Sequence, residues 1–375
     1  MIANAFRGRE TIVTMRLRDS VRFRFELARR DDDEALRRLA SATPVPGKMT
    51  VAYEREPDYF RGCLAHGPFS QVIVARGEDT GEIAGMAIRA VRNYWRDGEE
   101  VPVGYLGQLR VSPHHRGKWL VPAGFRFLRE LLRDERATSH FTTLIDGNVE
   151  AEALLVAKAR GSMPRYRPVT GILSFVLPVP RRAGKTAPRV IRLDGESMGG
   201  ALEFWKRQSH ATRMFPVVDP ADFESSGFPD LEQRDVFLWA RGSRIEATLG
   251  IWDTSRFKQP VVRSYSRGLA FIRPIVNLAA SIRGWPRLPA VGEAMRFGFG
   301  VLLSAESGAR KDVADLVRAA LCRAQERSLD FLVLGVEERD EVALTLKRFP
   351  HFLYRSHMFT VSWDGHDPLG EDLRC

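Results

Sequence analysis

Cysteine is scarce and poorly placed. Cys63, Cys322 and Cys375 are odd in number and far apart, which argues against a disulfide framework, offers no metal-ligand spacing and fits a reducing compartment. Long apolar runs are also missing. The best window, Leu269 to Ile282, is interrupted by Arg273 and Pro274 and is too short for a bilayer span. The first fifteen residues hold Arg7, Arg9 and Glu10 with no continuous apolar core, so no signal peptide is expected. Lysine supplies only 8 of the 57 basic residues, and no block of five like charges occurs. A net charge of +10 spread this thinly does not make a nucleic-acid-binding tail. His114 and His115 are adjacent, point apart in a turn and have no third ligand at a suitable spacing, so no metal is expected. A cytoplasmic protein without a membrane span or nucleic-acid partner is the expectation.

What remains is ordinary globular composition, 44% hydrophobic and 28% charged over 375 residues, long for one domain and comfortable for two. Phe23 to Leu27 alternates like a strand. Asp31 to Glu34 then caps a helix carrying Leu36 and Leu39. Gln71 to Ala87 reads as a hairpin. A strand from Tyr105 to Val111, a turn, an amphipathic helix from Leu120 to Arg133, a strand from His140 to Asp146, a helix from Val149 to Ala159 and a strand from Thr170 to Leu177 complete the first half. Pro178 to Pro188, rich in proline and charge, reads as a linker. The second half repeats the plan. A slide that lays Val111 on Leu303 also lays Asn148 on Asp340, Ala151 on Ala343 and Leu154 on Leu346, which implies a diverged tandem duplication. The expected division is an extension at 1–21, a domain at 22–178, a linker at 179–189, a second domain at 190–366 and a tail at 367–375. The fold class is α/β with mixed sheets (α+β). The insert from Gly268 to Pro289 is read as a cover over an acceptor pocket, as an inter-domain contact or as a packed structural excursion.

The informative segment is Leu109-Arg110-Val111-Ser112-Pro113-His114-His115-Arg116-Gly117-Lys118-Trp119-Leu120. A strand that runs into an Arg-Gly turn at a helix N-terminus presents free N–H groups and a positive dipole end to an anion. Together with Gly147-Asn148-Val149-Glu150-Ala151, it resembles the GNAT superfamily of acyl-coenzyme A-dependent N-acyltransferases. The resemblance implies two tandem GNAT-like domains. It also implies pantetheine lying along Leu109, Arg110 and Val111, and phosphates at the loop formed by His115, Arg116, Gly117, Lys118, Trp119 and Leu120, with Asn148 ahead of the last major helix. The family's later small loop residue is replaced here by bulky ones, which affects the path of the loop more than its place.

The catalytic groups are less legible. Where the family often has a tyrosine acid, this chain has Leu154-Leu155, and Tyr166 is the remaining candidate on that side. A general base requires a carboxylate or an ordered water. The candidates are Glu54 and Glu56, in the segment that the resemblance places along the acceptor side, and Gln108 and Tyr105 on the motif strand. In the second half Glu306 and Asp340 replace the expected loop and Asn features, so that half is expected to keep the fold without the coenzyme. The implied activity is acyl transfer, most simply of acetyl from acetyl-CoA (or from another acyl-CoA), to the amine of a small molecule or peptide. The alternatives are a long-chain acyl donor, or a non-catalytic protein that senses coenzyme A or binds a partner. Oligomeric state is not readable.

Overall fold

The computed structural model describes residues 13–16, 22–117, 119–156, 163–181, 187, 189–210, 214–224 and 227–363. In the first half β1 (Val13–Arg16) and β2 (Arg22–Leu27) lead into α1 (Asp33–Ala42), β3 (Met49–Glu54) and α2 (Tyr59–Leu64). They are followed by β4 (Phe69–Gly77), β5 (Ile83–Arg96), β6 (Glu99–Val111), α3 (Leu120–Leu131), β7 (Ser139–Ile145), α4 (Val149–Ala151) and β8 (Arg165–Pro178). The second half contains β9 (Val190–Arg192), α5 (Gly195–Gln208), β10 (Phe215–Pro216), β11 (Val236–Arg241), β12 (Arg244–Asp253) and β13 (Gln259–Tyr265). It ends with α6 (Arg267–Ile282), β14 (Phe297–Ala305), α7 (Val313–Glu326), β15 (Phe331–Glu337), α8 (Val342–Leu346) and β16 (Phe352–Ser362).

One sheet runs through both halves in the order β1-β2-β4-β5-β6-β7-β16-β8-β15-β14-β12-β11-β9. Most neighbours are antiparallel; β6–β7 and β14–β15 are the parallel pairs among the described strands. The tandem α/β reading holds, with a feature the sequence did not show. β7 and β8 are not neighbours, because β16 from the end of the chain lies between them. β8 in turn pairs with β15 of the second half, Phe331 opposite Pro178 through Glu337 opposite Ile172. Each half therefore completes its sheet with the last strand of the other. Hydrogen bonding between strands depends on register, not on sequence distance, so local pattern could not reveal this pairing.

Three further differences have local causes. Residues 13–16, expected to fray, pair with Arg22–Phe25. β3 and β13 escaped the sequence reading because the strand partner of each lies in the other half; they pair with each other as a two-stranded sheet. The helix expected to Ala159 is α4 followed by a wider turn over Glu152–Val156, and 157–162 lie outside the described residues. The insert is helical over α6, and Arg273 and Asn277 tie down the following loop by donating to the Leu288 carbonyl. Val179, at the start of the expected linker, is buried and donates to the Asp330 carbonyl at 2.9 Å.

Amphipathic spacing explains the layers. α3 lays Leu120, Ala123, Phe127 and Leu128 on one face of the first half, where they meet Phe25, Leu106 and Leu155. α1 and α2 cover the other face with Leu36, Tyr59 and Phe60, against Val74 and Ile88. In the second half α7 packs Val313, Leu316 and Ala320 against Leu249 and Leu334, while α5 buries Phe204 and Trp205 against Leu238.

Candidate functional site

The site begins where two parallel strands part. β6 and β7 pair only at Val103–Ser139, Gly104–His140 and Tyr105–Phe141. Gly104 makes this junction possible, because a Cβ there would come within 2.2 Å of the His140 ring. Beyond Tyr105, the chain from Leu106 to Val111 pairs with β5 but has no partner on its β7 side among the described residues, and β7 turns to β16. A parallel pair that stops short leaves a wedge edged by free strand N–H and C=O groups.

A bulge sits inside the wedge. Met86 faces Arg110 while Ile88 faces Gly107, which leaves Gln108 in the left-handed region at φ 53°. The side chains then divide between two faces. Leu109 and Val111 pack toward α3, whereas Arg110 lies among Tyr53, Arg55, Tyr59 and Tyr105 on the α1–α2 face. Leu302 forms the matching bulge on β14. The slide fitted to Val111 and Leu303 would have placed it at Gly300, so the repeat is not gap-free.

The loop closes the wide end. Pro113–His115 form a short 3-10 turn, and His115 lies edge-on to Phe23 at 5.5 Å. Gly117 has φ +78°, and a Cβ there would meet nothing within 4 Å. Trp119 is left-handed and 70% exposed, while Leu120 buries itself to start α3. The first N–H groups of that helix open toward the loop. Lys118 lies outside the described residues. On the opposite lip, Asn148 caps α4 by accepting from the Ala151 N–H at 3.3 Å, and Glu150 reaches Arg116 at 3.5 Å. The structure thus brings Leu109, Val111, Arg116, Gly117, Leu120 and Asn148 to one cleft edge.

The catalytic candidates scatter. Tyr105 stacks on His66 and hydrogen-bonds with Thr143 across the wedge, and burial raises its pKa. Gln108 is half-buried at the bulge. Glu54 accepts from Ser41 and Arg263, and Glu56 pairs with Arg37. Both carboxylates are thus engaged in ion pairs. Tyr166 lies on β8 among Phe125 and Phe359, with its pKa raised by burial. Leu154 and Leu155 pack into the α3 core.

Sequence reading missed the cationic side chains deep in the cleft. Arg55 is 1% exposed, donates to the Gly62 carbonyl at 2.7 Å and stands 3.5 Å from His66 Nε2. Lys258 enters from the second half, its ammonium 4.4 Å from the Phe299 ring centre and 5.3 Å from that of Tyr53. Burial first, and then the Arg55 charge, lower the Lys258 pKa to about 7. Burial, Arg55, Lys258 and Arg92 hold His66 well below its usual value. Arg55 follows β3 and Lys258 precedes β13, so the inter-half strand pair that sequence could not show is what joins them. Among the described residues no group of His, Cys, Asp and Glu could hold a metal, and no helix is long and apolar enough to cross a membrane.

The corresponding wedge in the second half is filled. β14 and β15 part after Phe299–Val333, but a Cβ at Gly300 would meet Leu334 Cδ2 at 2.2 Å. Ala309, Val313, Ala343 and Leu346 are buried together with Leu334. Glu306 is engaged by Arg244 and Arg207.

A splayed parallel pair, a glycine turn at a helix N-terminus and an Asn-capped return define an acyltransferase fold of the GNAT type. Residues 34–161 match the model of the Acetyltransferase (GNAT) family, and the fold is consistent with that superfamily. Its fold is similar to Saccharomyces cerevisiae N-myristoyltransferase with bound myristoyl-CoA, at TM-scores of 0.60 and 0.62 in two structures. Identities are 11% and 12%, with 94% and 92% of this chain and 85% and 80% of those chains covered. It is also similar to a fungal multi-domain GH3 beta-N-acetylglucosaminidase with a GCN5-related glucosamine N-acetyltransferase region (TM-score 0.59, 15% identity), over 90% of this chain and 38% of that one. No curated protein sequence matches the chain.

Proposed function

We propose that this protein transfers an acyl group, most simply acetyl, from acyl-coenzyme A to an amine, using the wedge of the first half. The observation that carries this is the end of β6–β7 pairing after Tyr105–Phe141, with the free edge leading to the Gly117 turn and α3. Pantetheine would hydrogen-bond to the free edge of Leu109–Val111, and the phosphates would meet the loop N–H groups and the α3 dipole. His115, Arg116, Trp119 and Leu120 would contribute mainly backbone here. Arg116 adds charge, and Asn148 holds the far lip.

In the reaction the uncharged amine nitrogen forms a bond to the thioester carbonyl carbon. The C–S bond breaks with its electron pair going to sulfur, the nitrogen loses its extra proton to water, and the thiolate takes up a proton from water. With leucine at 154 and 155, Tyr105 supplies a hydroxyl at the fork of the strands. Filling by Leu334 and the paired Glu306 favour a second half that keeps the fold without a coenzyme. A long-chain donor is the second reading, favoured by fold similarity across nearly the whole chain to a protein solved with myristoyl-CoA.

Calorimetric titration with acetyl-CoA tests the site. One binding event is expected in the wild type and none in Gly117→Trp, whose side chain would enter open space rather than clash with the protein. Gly117→Asn, which tolerates positive φ, should retain binding. Two events would overturn the one-site reading, and no binding by the wild type would move the chain to a sensing or partner-binding role. Thiol release from acetyl-CoA and from myristoyl-CoA separates the two donor readings.

A further inference from the structure

The cleft on the α1–α2 face has an unusual charge balance. Arg55, His66, Arg110 and Lys258 converge on it, with Tyr53, Tyr59 and Tyr105 between them. None of the four basic groups is in an ion pair among the described residues. Most of the chain's other enclosed arginines are paired with acids, the exception being Arg92, which donates to the Gly227 carbonyl and lies over the Phe228 ring. Arg89 is bound by both oxygens of Asp134, Arg76 by Glu26 and Asp32, and Arg323 and Arg327 by Asp235. An enclosed cation without a counter-charge is costly, and here four basic groups converge without an acid.

The polar atoms in the cleft are also poorly satisfied. The Tyr59 hydroxyl and Arg55 Nε are buried without a hydrogen-bond partner. Arg110 and Lys258 are half-buried and retain some accessible surface. Arg110 leaves β6 on the face opposite Leu109 and Val111. That face is the acceptor side, apart from the loop assigned to the donor phosphates.

We infer that the acceptor is an amine that carries its own carboxylate a few bonds from the reacting nitrogen, and that Arg110 and Lys258 supply the counter-charge. This rests on the acyl-transfer reading above. The planar guanidinium fork matches a carboxylate, while the Tyr59 hydroxyl is an uncommitted donor beside it. The same field explains why no base carboxylate stands in the cleft. Positive charge disfavours the ammonium form of a bound amine, and it stabilises the tetrahedral oxyanion and the departing thiolate. Both the recognition of the acceptor and the release of its proton follow from one set of side chains.

The test pairs glycine, alanine, leucine, glutamate and lysine with the amines that lack their α-carboxylate, reading thiol release from acetyl-CoA and myristoyl-CoA. At least one amino acid should be used 10-fold or more better than its decarboxylated partner. Arg110→Met should lower kcat/KM for that amino acid about 10- to 100-fold without changing acetyl-CoA affinity, and Arg110→Lys should keep part of the activity. Equal use of the decarboxylated amines would overturn the inference. So would an Arg110→Met variant that loses acetyl-CoA binding while keeping the acceptor preference, because the cluster would then serve the donor phosphates. Titration with the N-acetylated amino acids reads the cleft without turnover. Binding lost in Arg110→Met, in a protein with no thiol release, would uphold the anion site and sink acyl transfer. A wild type that binds acetyl-CoA but shows neither binding of these acids nor preference for carboxylate-bearing amines would sink the anion site alone.

A second, independent observation concerns α6. Phe271, Ile275, Leu278 and Ile282 fall on one helical stripe and are 83%, 67%, 64% and 79% exposed. From 264 to 292 the only charged residues are Arg267, Arg273, Arg283 and Arg287, with no acid among them. We propose that this stripe lies on an anionic lipid bilayer surface, where apolar side chains enter the headgroup boundary and arginines meet lipid phosphates. The full chain should sediment with vesicles containing phosphatidylglycerol, weakly with phosphatidylcholine alone, and less as salt rises. The Ile275→Glu/Leu278→Glu variant, changed only at exposed positions, should stay in the supernatant. No sedimentation with the anionic vesicles, unchanged sedimentation of the variant, or a wild-type dimer that the variant abolishes would overturn the proposal.

Discussion

The imidazole of His66 lies flat on the ring of Tyr105, with centroids 4.9 Å apart and planes 14° apart. Tyr105 is the last residue of β6 paired with β7, and its ring occupies the space that a side chain at Gly107 would fill. The stack therefore fixes the ring at the point where the wedge opens. Its hydroxyl bonds with Thr143 on β7. Tyr105→Phe should change stability by about 1 kcal/mol or less, and should lower kcat about 10-fold with little effect on the KM for acyl-CoA. Steady-state kinetics beside urea unfolding separates the two effects. An unchanged kcat would remove Tyr105 from the chemistry.

Gly104 and His140 form a size-matched pair at the same junction. Gly104→Ala places a methyl where the His140 ring stands, and overpacking of this kind costs about 1–3 kcal/mol. His140→Ala should relieve most of that cost in the double variant, a coupling that a double-mutant cycle in urea would measure. Additive effects would mean that the strands shift to make room.

Lys258 gives a pH signature whose sign is fixed. Its folded pKa of about 7 lies below the ordinary value of 10.5, so the unfolded chain binds the extra proton between those limits. Its contribution to stability is most unfavourable below pH 7, improves as pH rises, and reaches zero near pH 10.5. Lys258→Met should raise Tm by a few degrees at pH 6, and the gain should shrink steadily above pH 7. Thermal scans across that range check it, and a pH-independent difference would place Lys258 in water.

Asp134 answers Arg89, whose side chain has no exposure, with bonds of 2.7 and 2.9 Å. Asp134→Ala leaves that guanidinium enclosed and unpaired, at a cost of about 3–5 kcal/mol. Replacing both residues by apolar ones should recover much of the loss, as seen in urea midpoints.

The exchange of β8 and β16 predicts that residues 1–178 do not fold alone, since β7 would lack its neighbour β16 and β8 would lack β15. The fragment should be insoluble or molten by near-ultraviolet circular dichroism, and co-expression with residues 179–375 should restore a soluble complex. A folded isolated fragment would show that the exchanged strands are dispensable.

Much of the fold was legible because its signals are local. The alternation at Phe23–Leu27, the apolar stripe of α3, the Arg116-Gly117 turn and the Asn148 cap depend on neighbours within a few residues, and periodicity and capping preferences record such neighbours directly. The duplication was legible for the same reason, although the matching bulges at Gln108 and Leu302 show that its spacing drifts.

The amino-acid sequence by itself determined the two GNAT-like halves, the strand-loop-helix that edges the wedge and the absence of a tyrosine at Leu154-Leu155. Tertiary structure alone decided which strands complete each half and which side chains meet in the cleft on the α1–α2 face. Arg55 and Lys258 are separated by most of the chain. Only the pairing of β3 with β13 brings them into one cleft, because strand register answers to the whole sheet and carries no mark in the local pattern.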